Sequence, residues 1–236
     1  MPIDLCQMVL RILLSIQFNI AIYSFDNSIL NRKLAEKKMS IERKVQEIEL
    51  LFDKLETELT TFISKTHLFC NAGCGKCCTN PSMEASPLEF LPWAFHLFKI
   101  GEAENTLEKL AKHSNPICFN YSPTSEINLH FGSCTTYKYR GLVCRLFGYG
   151  ATKDKFAQLR LATCSIIKEQ QTENYNAANE AINKGLPVPI FTDYYMNLSQ
   201  IDFRLGNVYA HINKALQMAL EEVVHYYAYR DFPEVE

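Results

Sequence analysis

Glycine is scarce in this chain, nine residues in 236, and it never gathers into the Gly-rich strand-to-helix turn that cradles a nucleotide or an adenosyl cofactor. Gly148-Tyr149-Gly150 is too short for that role. The G-x-S-x-G elbow of a serine hydrolase and the H-E-x-x-H helix of a zinc protease are both missing. No two of the six histidines stand three or four residues apart, so none forms a helical ligand pair; His67 and His130 are the two to watch, because they lie near cysteines. A basic excess is lacking too. The formal net charge of -2 argues against non-specific nucleic-acid binding. No internal repeat and no low-complexity tract is found, and the sequence names no catalytic residue.

Long apolar runs are equally rare. Residues 5–25 are the only stretch long enough to span a bilayer, and Gln7, Arg11, Gln17 and Asn19 dilute it. No basic cluster precedes this stretch and no small-residue cleavage site follows it. Three readings stay open for residues 1–38: a membrane anchor, a helix buried in or packed on the protein, or an extension upstream of a start at Met39. Any membrane association would run through residues 5–25. Residues 39–236 read as one domain, long enough to bury a full core without disulfides.

What the chain has in quantity is cysteine, nine residues in all. Four fall in Cys70-Asn71-Ala72-Gly73-Cys74-Gly75-Lys76-Cys77-Cys78, and four more follow at Cys118, Cys134, Cys144 and Cys164. Thiolates hold soft or borderline metals, and a C-x2-C loop brings two sulfurs to one ion while glycine permits the tight turn. Free thiols this close together pack poorly as a core and invite oxidation, so ligation explains them better. Cys6 lies outside the set and reads as a small core residue. Eight thiolates suffice for two four-thiolate zinc sites, or for an iron-sulfur cluster such as [4Fe-4S] with further ligands to spare. In an extended chain Cys77 and Cys78 point to opposite sides, so the early and late cysteines should interleave. Lys76, Lys138, Arg140 and Arg145 are candidates to offset the thiolate charge. A disulfide-bonded envelope protein is disfavoured by the odd cysteine total and the adjacent pair.

Around this centre the pattern is mainly helical. Ile41, Val45, Ile48, Phe52, Leu55, Leu59 and Phe62 make one seam of a helix over residues 40–65, destined for the core rather than for a second copy. Ser86-Pro87-Leu88-Glu89 is a capped helix start running to Lys99 with Gly101 as its stop, and a second helix covers residues 103–112. Residues 117–165 predict irregular loops with two or three short strands, including a hairpin of 146–151 with 156–161. Helix returns at Thr172 and stops at Gly185; further helices cover 193–205 and the stretch to Arg230, the last with Val208, Ile212, Leu216, Ala219, Val223 and Tyr227 on one side. The fold class is therefore mainly α (α+β), a helical domain with a small irregular β segment around a cysteine-rich metal site.

The cysteine order resembles the YkgJ-type cysteine-cluster proteins, described as zinc- or iron-chelating. That family carries a C-x2-C-x2-C-C core, a lone Cys, a C-x-x-Y or C-x-x-F element, an R-P-x-x-C step and a last Cys. Here these are Cys70, Cys74, Cys77 and Cys78, then Cys118, Cys134-Thr135-Thr136-Tyr137, Arg140-Gly141-Leu142-Val143-Cys144 and Cys164. The spacing departs twice: three residues separate Cys70 from Cys74, which makes Cys70 the least certain core ligand, and Gly141 stands where the family often has Pro. The resemblance implies a cytoplasmic metal-binding protein with zinc or iron on all eight cysteines. A related branch, the flagellin lysine N-methylase, implies the alternative of an iron-sulfur enzyme that uses S-adenosylmethionine.

Overall fold

The computed structural model describes residues 39–231 apart from 126, 128 and 130, so residues 5–25, Cys6 and His130 lie outside the described residues. Helix α1 (Ile41–Thr66) is capped by Ser40, whose hydroxyl accepts the Arg43 N–H at 3.3 Å. It ends where His67 turns left-handed at φ 54° and returns its N–H to Ile63. The expected seam is fully realised: Ile41, Val45, Ile48, Phe52, Leu55 and Leu59 lie in the main core, and Phe62 lies in a second one. Each such side chain contributes roughly 1.5–3 kcal/mol when buried. That makes α1 the spine that both cores share.

The main core is completed by the capped turn Pro87–Phe90, α2 (Leu91–Lys99), α3 (Ala103–Lys112), α7 (Phe191–Ile201), α8 (Phe203–Gly206) and α9 (Ile212–Tyr227). Gly101, at φ +77°, ends α2 as its left-handed conformation requires. Between α3 and α7 lie β2 (Tyr121–Pro123), β3 (Gly132–Cys134), α4 (Leu142–Leu146), β4 (Ala151–Lys153), β5 (Leu159–Leu161), α5 (Ser165–Gln170) and α6 (Thr172–Asn183). The second core takes Leu161, Ile167, Ala178 and Ile182 from this stretch, with Phe62 and Leu68. Three two-stranded antiparallel ribbons are present among the described residues, β2 with β3, β4 with β5, and β1 (Glu84–Ala85) with β6 (Ala210–His211). The result is mainly α with small β segments, as the sequence predicts.

Several local expectations are corrected. Of the predicted 146–151 strand, Leu146 ends helix α4 and 147–149 form a turn, so only 151–153 pairs, with 159–161. That hairpin turns on Asp154, whose carboxylate accepts the N–H groups of Phe156 and Gln158. The predicted 193–205 helix breaks at Asp202, because its side chain caps a new turn by accepting the Leu205 N–H at 3.0 Å. Val208 falls in the irregular stretch after the turn at Asn207, and α9 begins only at Ile212. No helix among the described residues is long and apolar enough to cross a membrane.

Candidate metal centre

All eight described cysteines are free thiols. The loop that carries the first four leaves α1 at His67, crosses Gly73 at φ +72°, and is tied down at both ends. Gln171, at the start of α6, accepts the Phe69 N–H at 3.0 Å and donates to the Phe69 carbonyl at 2.7 Å, as a neighbouring strand would. Asn71 donates to Gln170 at 3.0 Å, and the Tyr149 hydroxyl faces Cys70. These contacts bring Cys70 beside α5, which Cys164 begins. At the far end Cys78 accepts the Cys118 N–H at 3.0 Å, and Tyr121, opposite Cys134 in the β2–β3 ribbon, returns its N–H to Cys118.

The thiols crowd one another, early cysteines against late ones, with Cys74 facing both Cys70 and Cys78. Cys77 is raised well above an ordinary thiol first by burial and then by Cys164 and Cys70, with Cys78 and Cys74 behind them. Cys70 is raised by burial, Cys74 and Cys164. One set is therefore Cys70, Cys74, Cys77 and Cys164. Burial pushes Cys78 up to about 11, with Cys134 its strongest thiol neighbour, and pushes Cys118 up to about 12, with Cys78 and Cys134 adding to it. Cys144 is pushed far up by burial, then by Cys118 and Cys78. The other set is therefore Cys78, Cys118, Cys134 and Cys144. Cys78 also feels Cys74 and Cys70, so the two sets are neighbours.

Cys77 has Cys164 as its strongest thiol neighbour and Cys78 has Cys134, so each of the adjacent thiols meets a different late cysteine. Among the described residues, no group of three or more His, Cys, Asp or Glu is set out as a ready-made ion site. Neutral thiols have no mutual attraction to draw them to ligating distance, and the electrostatic contacts act over longer range than a metal–sulfur bond. The donor set nevertheless fits a thiophilic metal. Several thiolates this close repel one another and are pushed toward neutrality; a divalent cation among them reverses that balance and holds them ionised.

Of the four candidate cations, two face the thiols. Arg140 lowers the Cys70 thiol against its burial, and its Nε is buried with no hydrogen-bond partner. Arg145 is in electrostatic contact with Cys144. Both guanidiniums pair with Glu56 of α1, and they stack on Tyr137 and Phe52 respectively. Beside them opens a cleft of about 450 Å³. Lys76 is exposed, and Lys138 lies over the Tyr139 ring. His67 is an exposed helix cap whose carbonyl accepts Asn174.

Two supports escape sequence reasoning. Glu89 was legible as a capping-box residue, and it does accept the Ser86 N–H at 2.8 Å. Its Oε2 accepts the Val143 N–H at 2.8 Å, at the start of the α4 helix that carries Cys144, and Tyr195 donates at 3.0 Å to Oε1, the oxygen that Ser86 also uses. Tyr121 is the second. Its ring fills the notch between Gly75 and Gly132, and its hydroxyl donates to Leu129 at 2.8 Å. A Cβ on Gly75 would lie 1.9 Å from that hydroxyl, so Gly75 serves here by its small size. Gly75→Ala is expected to cost about 1–3 kcal/mol, as other overpacked sites do, and to loosen the loop between Cys74 and Cys77. Thermal melting of this variant against the parent checks it. Gly141, where the related pattern often has Pro, has φ -68°, which a proline ring also adopts, but a Cβ there would lie 2.8 Å from the Phe90 ring.

Residues 69–179 match the family model described as "CxxCxxCC: Putative zinc- or iron-chelating domain". The matched stretch holds all eight described cysteines, from Cys70 to Cys164. No curated protein and no solved structure matches the chain.

Proposed function

We propose, proceeding from residues 69–179 as a zinc- or iron-chelating domain of that family, that the chain binds metal in two adjacent four-thiolate centres. Cys70, Cys74, Cys77 and Cys164 would hold one ion, and Cys78, Cys118, Cys134 and Cys144 the other. What supports this is that Cys77 has Cys164 and Cys70 as its strongest thiol neighbours while Cys78 has Cys134, the thiol that also faces Cys118 and Cys144. Four thiolates complete the coordination of zinc and leave no open position, so the reading is a metal-holding module rather than a hydrolase. Arg140 and Arg145 offset the negative charge that four thiolates leave on a divalent ion. Thiols kept for metal need a reducing environment, which places the protein in the cytoplasm in this reading.

The test is elemental analysis and a visible spectrum of the full chain purified without oxygen. Two zinc ions in a colourless sample are the expected result. A brown sample with a broad band near roughly 400 nm, with iron and sulfide in cluster ratio, would assign an iron-sulfur centre instead. Absence of bound metal after reconstitution would overturn the proposal. Cys77→Ser is expected to lose one ion and Cys144→Ser the other; loss of both or neither from each variant would refute the division. The alternative of a methyl-transferring enzyme is tested on the same sample by titrating S-adenosylmethionine, where no binding is expected.

A further inference from the structure

The cleft beside Arg140 and Arg145 has walls of opposite charge. Glu49, Asp53 and Glu56 follow one another along α1 at steps of four and three, so all three line the cleft from one side of that helix. The opposite wall is the turn Tyr137–Tyr139 and the chain entering α4, which supply Lys138, Arg140 and Arg145. The walls are zipped together at one place only. Glu56 Oε1 accepts Arg140 at 3.0 Å and also accepts Arg145, whose side chain is 10 % exposed. The carbonyls of Arg140 and Lys138 fix Arg145 there, at 3.0 and 2.7 Å, and its guanidinium lies on the Phe52 ring. Two guanidiniums therefore share one carboxylate oxygen, which leaves an excess of positive charge at the floor of the cleft. One and two turns back along α1, Asp53 and Glu49 are exposed, and among the described residues neither side chain has an ion pair or a hydrogen bond. Lys138, on the other wall, is exposed over the Tyr139 ring and has no acidic partner among the described residues either.

We propose that this cleft binds a dipolar small molecule of the amino-acid class, one that carries both a carboxylate and an ammonium group. Its carboxylate goes to the guanidinium pair, where each terminal nitrogen keeps a second N–H beyond the bond it already makes. Its ammonium group goes to Asp53 and Glu49. The lining holds three acids and three cations, so its charges cancel in sum while staying apart in space. A purely anionic ligand would gain at the arginines and lose at the two free carboxylates, and a purely cationic one would do the reverse. A dipolar ligand gains at both walls. The cleft, about 450 Å³, has the size of a small-molecule site, and the exposed Tyr137 ring offers carbon surface to the body of the ligand. None of this rests on how the thiols are arranged or on a bound metal.

The test is isothermal titration calorimetry of the full chain at low salt with four compounds built on one five-carbon chain. Norvaline carries both charges at one end, 5-aminopentanoate carries one at each end, pentanoate is the anion alone and pentylammonium the cation alone. At least one of the two dipolar compounds is expected to bind about tenfold or more tightly than either singly charged one, the factor that about 1.4 kcal/mol supplies. The double variant Glu49→Gln, Asp53→Asn should melt as the parent does, because both side chains are exposed and unpaired. It should lose the dipolar advantage and bind pentanoate as well as the better dipolar compound. Lack of binding by all four at millimolar concentration would overturn the proposal. So would pentanoate binding as tightly as the dipolar compounds to the parent, which would make the cleft a plain anion site, or a dipolar advantage that survives the double variant. Metal content is measured separately, so each of these outcomes leaves the chelating reading standing.

Discussion

Glu89→Ala is expected to destabilise the protein by about 4 kcal/mol or more, the largest effect of any single substitution outside the thiols. Glu89 is completely buried and its carboxylate serves the Ser86 N–H, the Val143 N–H and the Tyr195 hydroxyl. Truncation leaves all three without a partner, and an unsatisfied buried donor costs about 1–3 kcal/mol. The conservative Glu89→Gln keeps one oxygen but sets an amide N–H₂ against one of the backbone donors, so it should cost less than alanine. Denaturant unfolding of the three proteins ranks them, and a loss under 1 kcal/mol for alanine would refute the clamp.

The same residue predicts a pH dependence. Burial raises the Glu89 acid to about 7 against the pull of its hydrogen bonds, whereas the unfolded chain carries an ordinary carboxyl near 4.5. Between those values the unfolded state releases the proton more readily, so this group's contribution is full below pH 4.5 and falls as pH rises to 7. The loss amounts to about 3 kcal/mol at most. Tyr195, Tyr209 and Cys144 are in electrostatic contact with Glu89, and burial raises the pKa of all three, so none of them ionises in that window. The stability difference between wild type and Glu89→Gln should therefore shrink from pH 5 to pH 8. A constant difference would mean that Glu89 is ionised throughout.

Lys44→Ala is expected to cost about 3–5 kcal/mol, as removal of one partner of a buried ion pair does. Lys44 Nζ lies 2.5 Å from Asp202 Oδ2, with both side chains almost wholly buried. Burial raises the Asp202 acid, but the Lys44 hydrogen bond, the Leu205 N–H and the Lys44 charge outweigh it and hold it below the usual carboxylate range. The alanine variant would strand that carboxylate in the core between α1 and the α7–α8 break. The double variant Lys44→Met, Asp202→Asn restores neutrality, and asparagine still caps α8, so it should recover most of the loss. A double variant no more stable than Lys44→Ala would refute the stranded-carboxylate account, since methionine restores the packing of the lysine stem as well as neutrality.

The α1 seam, the Ser86 capping box, the Gly101 and Gly185 stops and the thiol-rich loop were all legible in the sequence. Each is a local pattern: a helix period, a cap three residues from its partner, a glycine where the chain turns left-handed. The directions of Cys77 and Cys78 were less legible, because the pair sits in a turn closed by the Thr79 N–H on the Gly75 carbonyl and not in the extended segment that the sequence suggested. Which late cysteine joins which early one was not legible. Cys164 reaches the Cys70 side because Gln171, about a hundred residues along the chain, bonds to Phe69, and no spacing rule encodes that meeting. Only the tertiary structure decided that α1 would be shared by two cores, that Arg140 and Arg145 would converge on Glu56, and that Glu89 would cap a second helix. Those are contacts between segments far apart in sequence, settled by the total burial and hydrogen bonding of the folded chain. The sequence by itself determined which side chains could donate to a metal, because the chemistry of a thiol belongs to the residue; which of those thiols come to face one another belongs to the fold.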